Sequence, residues 1–288
     1  MNSERPAATI PRWNLNACIM RAYGCLQTAL ICAVLVLSSQ PEGHAAQPSV
    51  NVGAPTEAIR ELLTALAPAF AKDTGLAVTV TPVGNGQGTA GLGAVVVHDG
   101  WTGQGSFNQG ERTAVFTGER ILIGSRAERA RVRGLRDIKA AFRAISLTRG
   151  TFVSSSPELG ARDLELSLWD ALGVNVRSRS TWYVEVEGSE TAVLSGAGDL
   201  GAYVLVERAT YAEARNKRGL ELLVAGDPLL TTSYSSVLLD PQSKTARVWH
   251  EWLNTPRAQL GISEFRLNGM EVFKPRQSVS EIPGPEPS

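Results

Sequence analysis

Cysteine is absent beyond residue 32 of this 288-residue chain, since Cys18, Cys25 and Cys32 all lie near its start. That excludes disulfides and thiol chemistry from the body of the protein, which a hydrophobic core alone must hold together. Histidine is nearly as scarce, with only His98 and His250 in the body, in unlike contexts. The pair His250-Glu251 lacks the second histidine of a zinc-protease helix, so no metal site is expected and both histidines read as structural or surface residues. There is no Gly-x-Ser-x-Gly elbow to expose a nucleophile. Carboxylates such as Glu158, Asp163, Glu165, Glu185, Glu187 and Glu190 are plentiful, but nothing in their spacing brings two together across an apolar cleft. Acid–base catalysis is therefore unsupported, and the chain does not read as an enzyme. No excess of one charge exists either: 28 basic residues balance 28 acidic ones. Bulk charge thus points to neither nucleic acid nor a membrane surface as partner.

A hydrophobic run long enough to span a bilayer is also missing. Residues 25–37 (CLQTALICAVLVL) are apolar, but a run of about 13 to 16 residues falls short of the roughly 20 that a spanning helix needs. Arg5, Arg12 and Arg21 precede the run and small residues follow it at Gly43, Ala45 and Ala46. This is the pattern of an export signal over residues 1–46, cleaved near Ala45 or Ala46, which implies a periplasmic or secreted protein. At the other end, Pro283, Pro285 and Pro287 mark residues 275–288 as a tail that will not pack.

Between these ends, short apolar strands alternate with helical patterns. Ser49–Val52 reads as a strand, and Ile59, Leu62, Leu63, Leu66 and Phe70 recur at helical spacing before Gly75. A second strand follows at residues 76–83, so the chain opens as a β-α-β unit with a parallel sheet. The glycines of residues 84–93 (GNGQGTAGLG) follow the second strand, and no helical pattern opens after them, which makes a dinucleotide site improbable. Residues 113–124 are expected to hold two strands, 114–117 and 121–123. The arginine-rich stretch 126–143 reads as a helix with a solvated face rather than as a nucleic-acid patch. Further strands are expected at 182–186, 202–206, 220–224 and 233–239, and helices from Ser189, Arg208, Lys244 and Thr255-Pro256, the last with Thr at N-cap and Pro at the first helical position.

The stretch Thr151 to Gly173 (TFVSSSPELGARDLELSLWDALG) draws most attention. A Ser-rich turn containing Gly160 runs into an amphipathic helix, and hydroxyls with orphan amides at a helix N-terminus suit a small anion. A second such turn, Glu187-Gly188-Ser189, opens the helix after the strand at 182–186. These turns nominate Ser154, Ser155, Ser156, Gly160, Ala161, Gly188 and Ser189 as ligand-binding residues, joined by Thr56 at the start of the first helix. Arg162, one residue past the Ser-rich turn, and Tyr234, on the strand at 233–239, are further candidates.

Several segments together resemble one family. They include Leu62-Leu63 with Ala69-Phe70 and Thr74-Gly75, Val83-Gly84 with Gly86-Gln87, Val97-His98, and Phe152-Val153-Ser154. Further on come Glu165-Leu166-Ser167-Leu168-Trp169, Trp182-Tyr183 with Glu185, Ala202-Tyr203 with Arg208, Gly226-Asp227-Pro228-Leu229-Leu230 and Glu251-Trp252-Leu253. In this order, over about residues 49–274, the chain resembles the extracellular tungstate/molybdate-binding proteins of ABC transporters. The resemblance implies an α/β fold of the type II periplasmic binding protein kind, with two lobes and a central cleft that takes an oxyanion. It implies a first lobe of about 48–118 plus 238–274, a second lobe of 119–237, and ABC permease subunits as partners, with no cofactor, metal or nucleic acid.

At the ligand positions the chain departs from the family's pattern. The run of threonines and serines after the first strand is here Gly53-Ala54-Pro55-Thr56-Glu57, where only Thr56 keeps a hydroxyl. The family's arginine and Ser-Gly-Thr after the Ser-rich strand are replaced by Ser155 and by Leu159-Gly160-Ala161, and its Gly-Gln-Gly-Met turn by Glu187-Gly188-Ser189-Glu190. Losing one arginine and several hydroxyls would weaken oxyanion capture by about 4 kcal/mol, on the order of a thousandfold. The expected function is a solute-binding protein that captures a small ligand, an oxyanion by family likeness. The alternative is a binding-protein-like accessory or interaction module that no longer serves transport.

Overall fold

The computed structural model describes residues 48–84, 90–98, 110–155, 161–176 and 181–276. The leader, residues 277–288, Ser156 and Gly160 lie outside these residues, whereas the start of the expected tail packs: Pro275 pairs with Phe116, and the Arg276 amide donates to Gln259 Oε1 at 2.7 Å. The first strand, β1 (Ser49–Ala54), feeds helix α1 (Glu57–Thr74) through Thr56, whose hydroxyl accepts from the Ile59 amide. Gly75 closes the helix in the left-handed region at φ 70°, where a side chain would be strained, and returns its N–H to Ala71 O. The face of α1 that carries Ile59, Leu62, Leu63, Leu66 and Phe70 is buried, as its 3.6-residue period requires. Strands β2 (Ala77–Pro82) and β3 (Ala94–His98) pair with β1 in parallel.

The next strand differs from expectation. Residues 111–125 form one 15-residue strand, β4 (Glu111–Ser125), instead of two short ones. The polar interruption Gly118-Glu119-Arg120 is not a turn but the place where β4 changes partners. Glu111 to Glu119 pair with β9 (Thr231–Leu238), and Arg120 to Ile123 pair with β7 (Tyr203–Glu207), both antiparallel. Gly118 is required there, because a Cβ would meet the Tyr234 ring at 2.9 Å. The arginine-rich stretch also differs. It becomes helical only at α2 (Ile138–Thr148), where the Asp137 side chain caps the Ala140 amide, and Arg131 and Gly134 upstream take positive φ.

The rest completes a second α/β layer and returns to the first. In chain order it comprises β5 (Phe152–Ser154), α3 (Ala161–Ala171), β6 (Tyr183–Glu185), α4 (Glu190–Leu200), β7, α5 (Arg208–Glu213), β8 (Leu220–Val224), β9, α6 (Lys244–Trp252), α7 (Pro256–Glu264) and β10 (Lys274–Pro275). The strand order is β2-β1-β3-β9-β4-β7-β5-β6, with β8 and β10 also on β4. β5 runs parallel to β6 and β7, so the second half repeats the parallel pattern of the first. The helix starts expected at Ser189 and Thr255 are present, each hydroxyl accepting the amide three residues on.

The cores follow this division. α1, α6 and α7 pack on the first sheet around Phe70, Trp249 and Trp252, with the Phe70 ring edge-on to both tryptophans at 5.0 and 5.3 Å. On β4, alternation sends Leu122 to one face of the second sheet, against Phe142, Phe152 and Trp169. Ile121 and Ile123 go to the other, against Val193, Leu194 and Ala197 of α4. His250 is structural: it is buried, and its ring nitrogens reach Thr113 and Ser236 at 3.0 and 2.9 Å. Among the described residues, no helix is long and apolar enough to cross a membrane. Phe70→Ala removes a fully buried ring and is expected to cost about 3–5 kcal/mol; urea unfolding followed by tryptophan fluorescence measures it.

Candidate functional site

In an open α/β sheet, the carboxyl ends of parallel strands release helices whose N-terminal amides point into the crevice beyond. Here both sheets direct those ends to one place. A cleft of about 340 Å³ is lined by Thr56 and Ala58 at the start of α1 and by Ala161 at the start of α3. Ser189, Glu190 and Thr191 at the start of α4, and Ala209 and Thr210 at the start of α5, complete that ring of helix termini. The floor is supplied by the crossing strands: Arg120 of β4, Glu207 at the end of β7, His98 at the end of β3 and Tyr234 of β9.

Arg120 is the centre of charge. Its Nε lies 3.2 Å from Glu207 Oε1, and the two side chains are only 12% and 16% exposed. The contact is an ion pair without hydrogen-bonding alignment, which leaves the buried Nε–H of Arg120 with no hydrogen-bond partner among the described residues. Such a donor is costly unless something accepts from it. Thr232 donates to the same Glu207 Oε1 at 3.2 Å, and Thr210 donates to Glu190. Glu213 also lines the cleft, close to Ala58 at the start of α1. Burial raises the pKa of all three carboxyls, that of Glu207 to about 7 even with Arg120 beside it. The Tyr234 hydroxyl is pushed well above its ordinary range by burial and by Glu207 and Glu190, so it remains a neutral phenol.

The candidates read from the sequence are distributed as follows. Thr56, Ala161, Ser189 and Tyr234 line the cleft, and Gly188 stands beside Ser189 with φ 110°. Thr56 and Ser189 spend a lone pair on their own helix caps and keep their hydroxyl hydrogens for another partner. Ser155 is buried, and its Oγ has no partner among the described residues. Ser154 turns away from the cleft. Its hydroxyl donates to Glu165 at 2.8 Å, in a buried network where Glu165 also accepts from Tyr183 at 2.7 Å and from Trp169 Nε1 at 3.2 Å. Arg162 pairs with Glu185 and donates to the Ser155 carbonyl. Sequence reasoning did not single out Arg120, Glu207, Thr210 or Glu213. The available signal for Arg120 was a charged pair, Glu119-Arg120, set between two apolar half-strands.

Two α/β halves with strand carboxyl ends and helix N-termini facing across a central cleft are the architecture of the type II periplasmic binding proteins, and the chain has that fold. Solved structures agree: tungstate-binding protein TupA of Desulfovibrio alaskensis G20 superimposes with a TM-score of 0.69 at 27% identity, over 80% of this chain and 100% of that one. In sequence, the chain is 28% identical over 232 residues to tungstate-binding protein TupA of Peptoclostridium acidaminophilum, covering 74% of this chain and 80% of that protein. It is 24% identical over 230 residues to tungstate-binding protein TupA of Campylobacter jejuni, covering 74% and 85%. No family model matches the chain. The resemblance read over residues 49–274 is thus upheld, and these relatives are binding proteins, not enzymes.

The buried Glu165 network gives a measurable pH dependence. Burial raises the Glu165 carboxyl to about 7, against the hydrogen bonds from Tyr183, Ser154 and Trp169. The folded protein therefore holds a proton that the unfolded chain, with an ordinary value of 4.5, has released. Stability is greatest below the unfolded value and falls as pH rises towards about 7, Glu207 adding to the same slope. Glu165→Gln, neutral at every pH, is expected to remove the Glu165 share of that fall, on the order of 2–3 kcal/mol, and to leave the share of the cleft carboxyls. Urea midpoints across this pH window measure it.

Proposed function

We propose that this chain is the exported solute-binding component of an ABC importer and captures a small oxyanion in the cleft around Arg120. The observation that carries this reading is the convergence of helix N-termini from both sheets on one buried guanidinium whose Nε–H has no hydrogen-bond acceptor among the described residues. Orphan amides, helix dipoles and an arginine all favour negative charge at the same point. Each hydrogen bond to a charged ligand contributes roughly 1.5–3 kcal/mol, so a handful is enough for micromolar capture. Ser189, Thr56 and the α3 and α4 amides supply neutral donors. The printed names of the relatives, tungstate-binding proteins, support the oxyanion class; they do not favour the accessory-module alternative.

In this reading β4 and β9 join two lobes, about 48–118 plus 238–274 and 119–237, which meet over the ligand, and permease subunits receive it. Isothermal calorimetry on the chain without residues 1–46, titrated with tungstate, molybdate, sulfate and phosphate, tests the assignment. At least one should bind with measurable heat, and Arg120→Gln should weaken that binding about tenfold or more. Absence of heat with all four anions would defeat the reading. Export is tested separately: N-terminal sequencing of the protein recovered from the periplasm or medium should begin near Ala46 or Gln47.

A further inference from the structure

The cleft holds more acceptors than a fully deprotonated anion can use. Glu207 presents a carboxylate to it whose Oε1 takes both the Arg120 and the Thr232 contacts, leaving Oε2 without a protein partner among the described residues. Glu190 lines the same wall, its Oε2 engaged by Thr210. A proton-free oxyanion such as sulfate, molybdate or tungstate offers only acceptor oxygens. Placed against an ionised Glu207, it meets lone pairs on both sides and like charge in a buried site. An oxyanion that retains a hydrogen meets the same carboxylate as a donor, and the contact becomes a charge-assisted hydrogen bond.

We propose, on the reading that the cleft binds an oxyanion, that it selects anions which still carry a proton, hydrogen phosphate or hydrogen arsenate, over proton-free sulfate, molybdate and tungstate. Glu207 accepts the ligand's proton, while Arg120 and the helix amides hold its charge. A proton-free anion enters only when the site supplies the missing hydrogen through a protonated Glu207. Its affinity therefore falls as pH rises and Glu207 ionises, whereas hydrogen phosphate keeps its own proton through neutral pH. The groups that set this titration are those around Glu207: Arg120 and Glu119 on β4, Glu190 on α4, and Thr232 and Tyr234 on β9. Arg120 favours ionisation, and Glu190 and Glu119 oppose it.

Calorimetric titration of the chain without residues 1–46 with sodium phosphate, sulfate and tungstate at about pH 5.5 and about pH 8 tests this. At the higher pH phosphate should bind about tenfold or more tighter than sulfate or tungstate. The gap should narrow at the lower pH. In buffers of differing ionisation enthalpy, sulfate binding at about pH 8 should take up about one proton per ion, and phosphate binding fewer. Glu207→Gln, which offers an amide hydrogen in place of the carboxylate, should bring sulfate to within about threefold of phosphate and abolish that uptake. If this variant does not fold, the wild-type pH series and proton counts still decide. Tungstate or sulfate binding as tightly as phosphate at about pH 8, with no proton uptake, overturns the selection and leaves the oxyanion reading standing. Silence with every anion overturns the oxyanion reading, and the selection with it.

Discussion

The cleft depends on β4 running unbroken through both sheets. A strand that ended at Gly118 would leave two independent α/β units with no shared wall, and the helix termini of one would have no fixed relation to those of the other. β4 instead passes its ladder from β9 to β7 between Glu119 and Arg120. Backbone pairing on either side fixes the Cα of Arg120, and with it the place where the buried guanidinium stands. Glu119 secures the same crossing from the other face. It accepts from Arg208 Nε at 2.9 Å and from the Gly226 amide, tying β4 to the start of α5 and to the loop before β9. Charged residues in mid-strand normally weaken a sheet; here each is paired, and the pairs mark the junction.

This explains why the fold was legible and the site only partly so. The period-3.6 face of α1, the helix starts at Thr56, Ser189 and Thr255, and the alternation of apolar strands are local signals, and each is reproduced. Thr56, Ala161 and Ser189 line the cleft because helix starts after strands are also where its walls lie. The misreading of residues 113–124 as two strands came from treating Gly118-Glu119-Arg120 as local punctuation. Its polarity comes from a long-range event, the change of partner strand, which no window of a dozen residues contains. Arg120 and Glu207 lie 87 positions apart in sequence and become neighbours only through the antiparallel pairing of β4 with β7. Glu213 reaches the cleft through α5 in the same way.

Ser154 shows a hydroxyl drawn from ligand duty into structure. At the end of β5, alternation faces it into the core, where it helps Tyr183 and Trp169 satisfy Glu165. A buried carboxyl with three donors is well supplied when ionised, yet desolvation outweighs them and raises its pKa to about 7. The network fixes α3 against β5 and β6, which in turn positions Ala161 at the cleft. Ser155, one residue on, is buried with its hydroxyl unclaimed among the described residues.

Acidic residues among helix N-termini look contradictory for an anion site, and the resolution lies in what each carboxyl does. Glu213 lines the cleft beside Ala58, and burial raises its pKa, which lessens its negative charge there. Glu190 is engaged by Thr210, within the first turn of its own helix, where the dipole favours its negative charge while burial opposes it. Glu207 alone is ion-paired to the arginine that the ligand would need, so it either competes with an anion for Arg120 or cooperates with it. A proton decides between the two. Without one, the carboxylate balances the charge of Arg120 internally and repels a second negative group. With one shared between carboxylate and ligand, both oxygens turn to Arg120, the repulsion disappears, and the buried guanidinium gains an acceptor for its unused Nε–H.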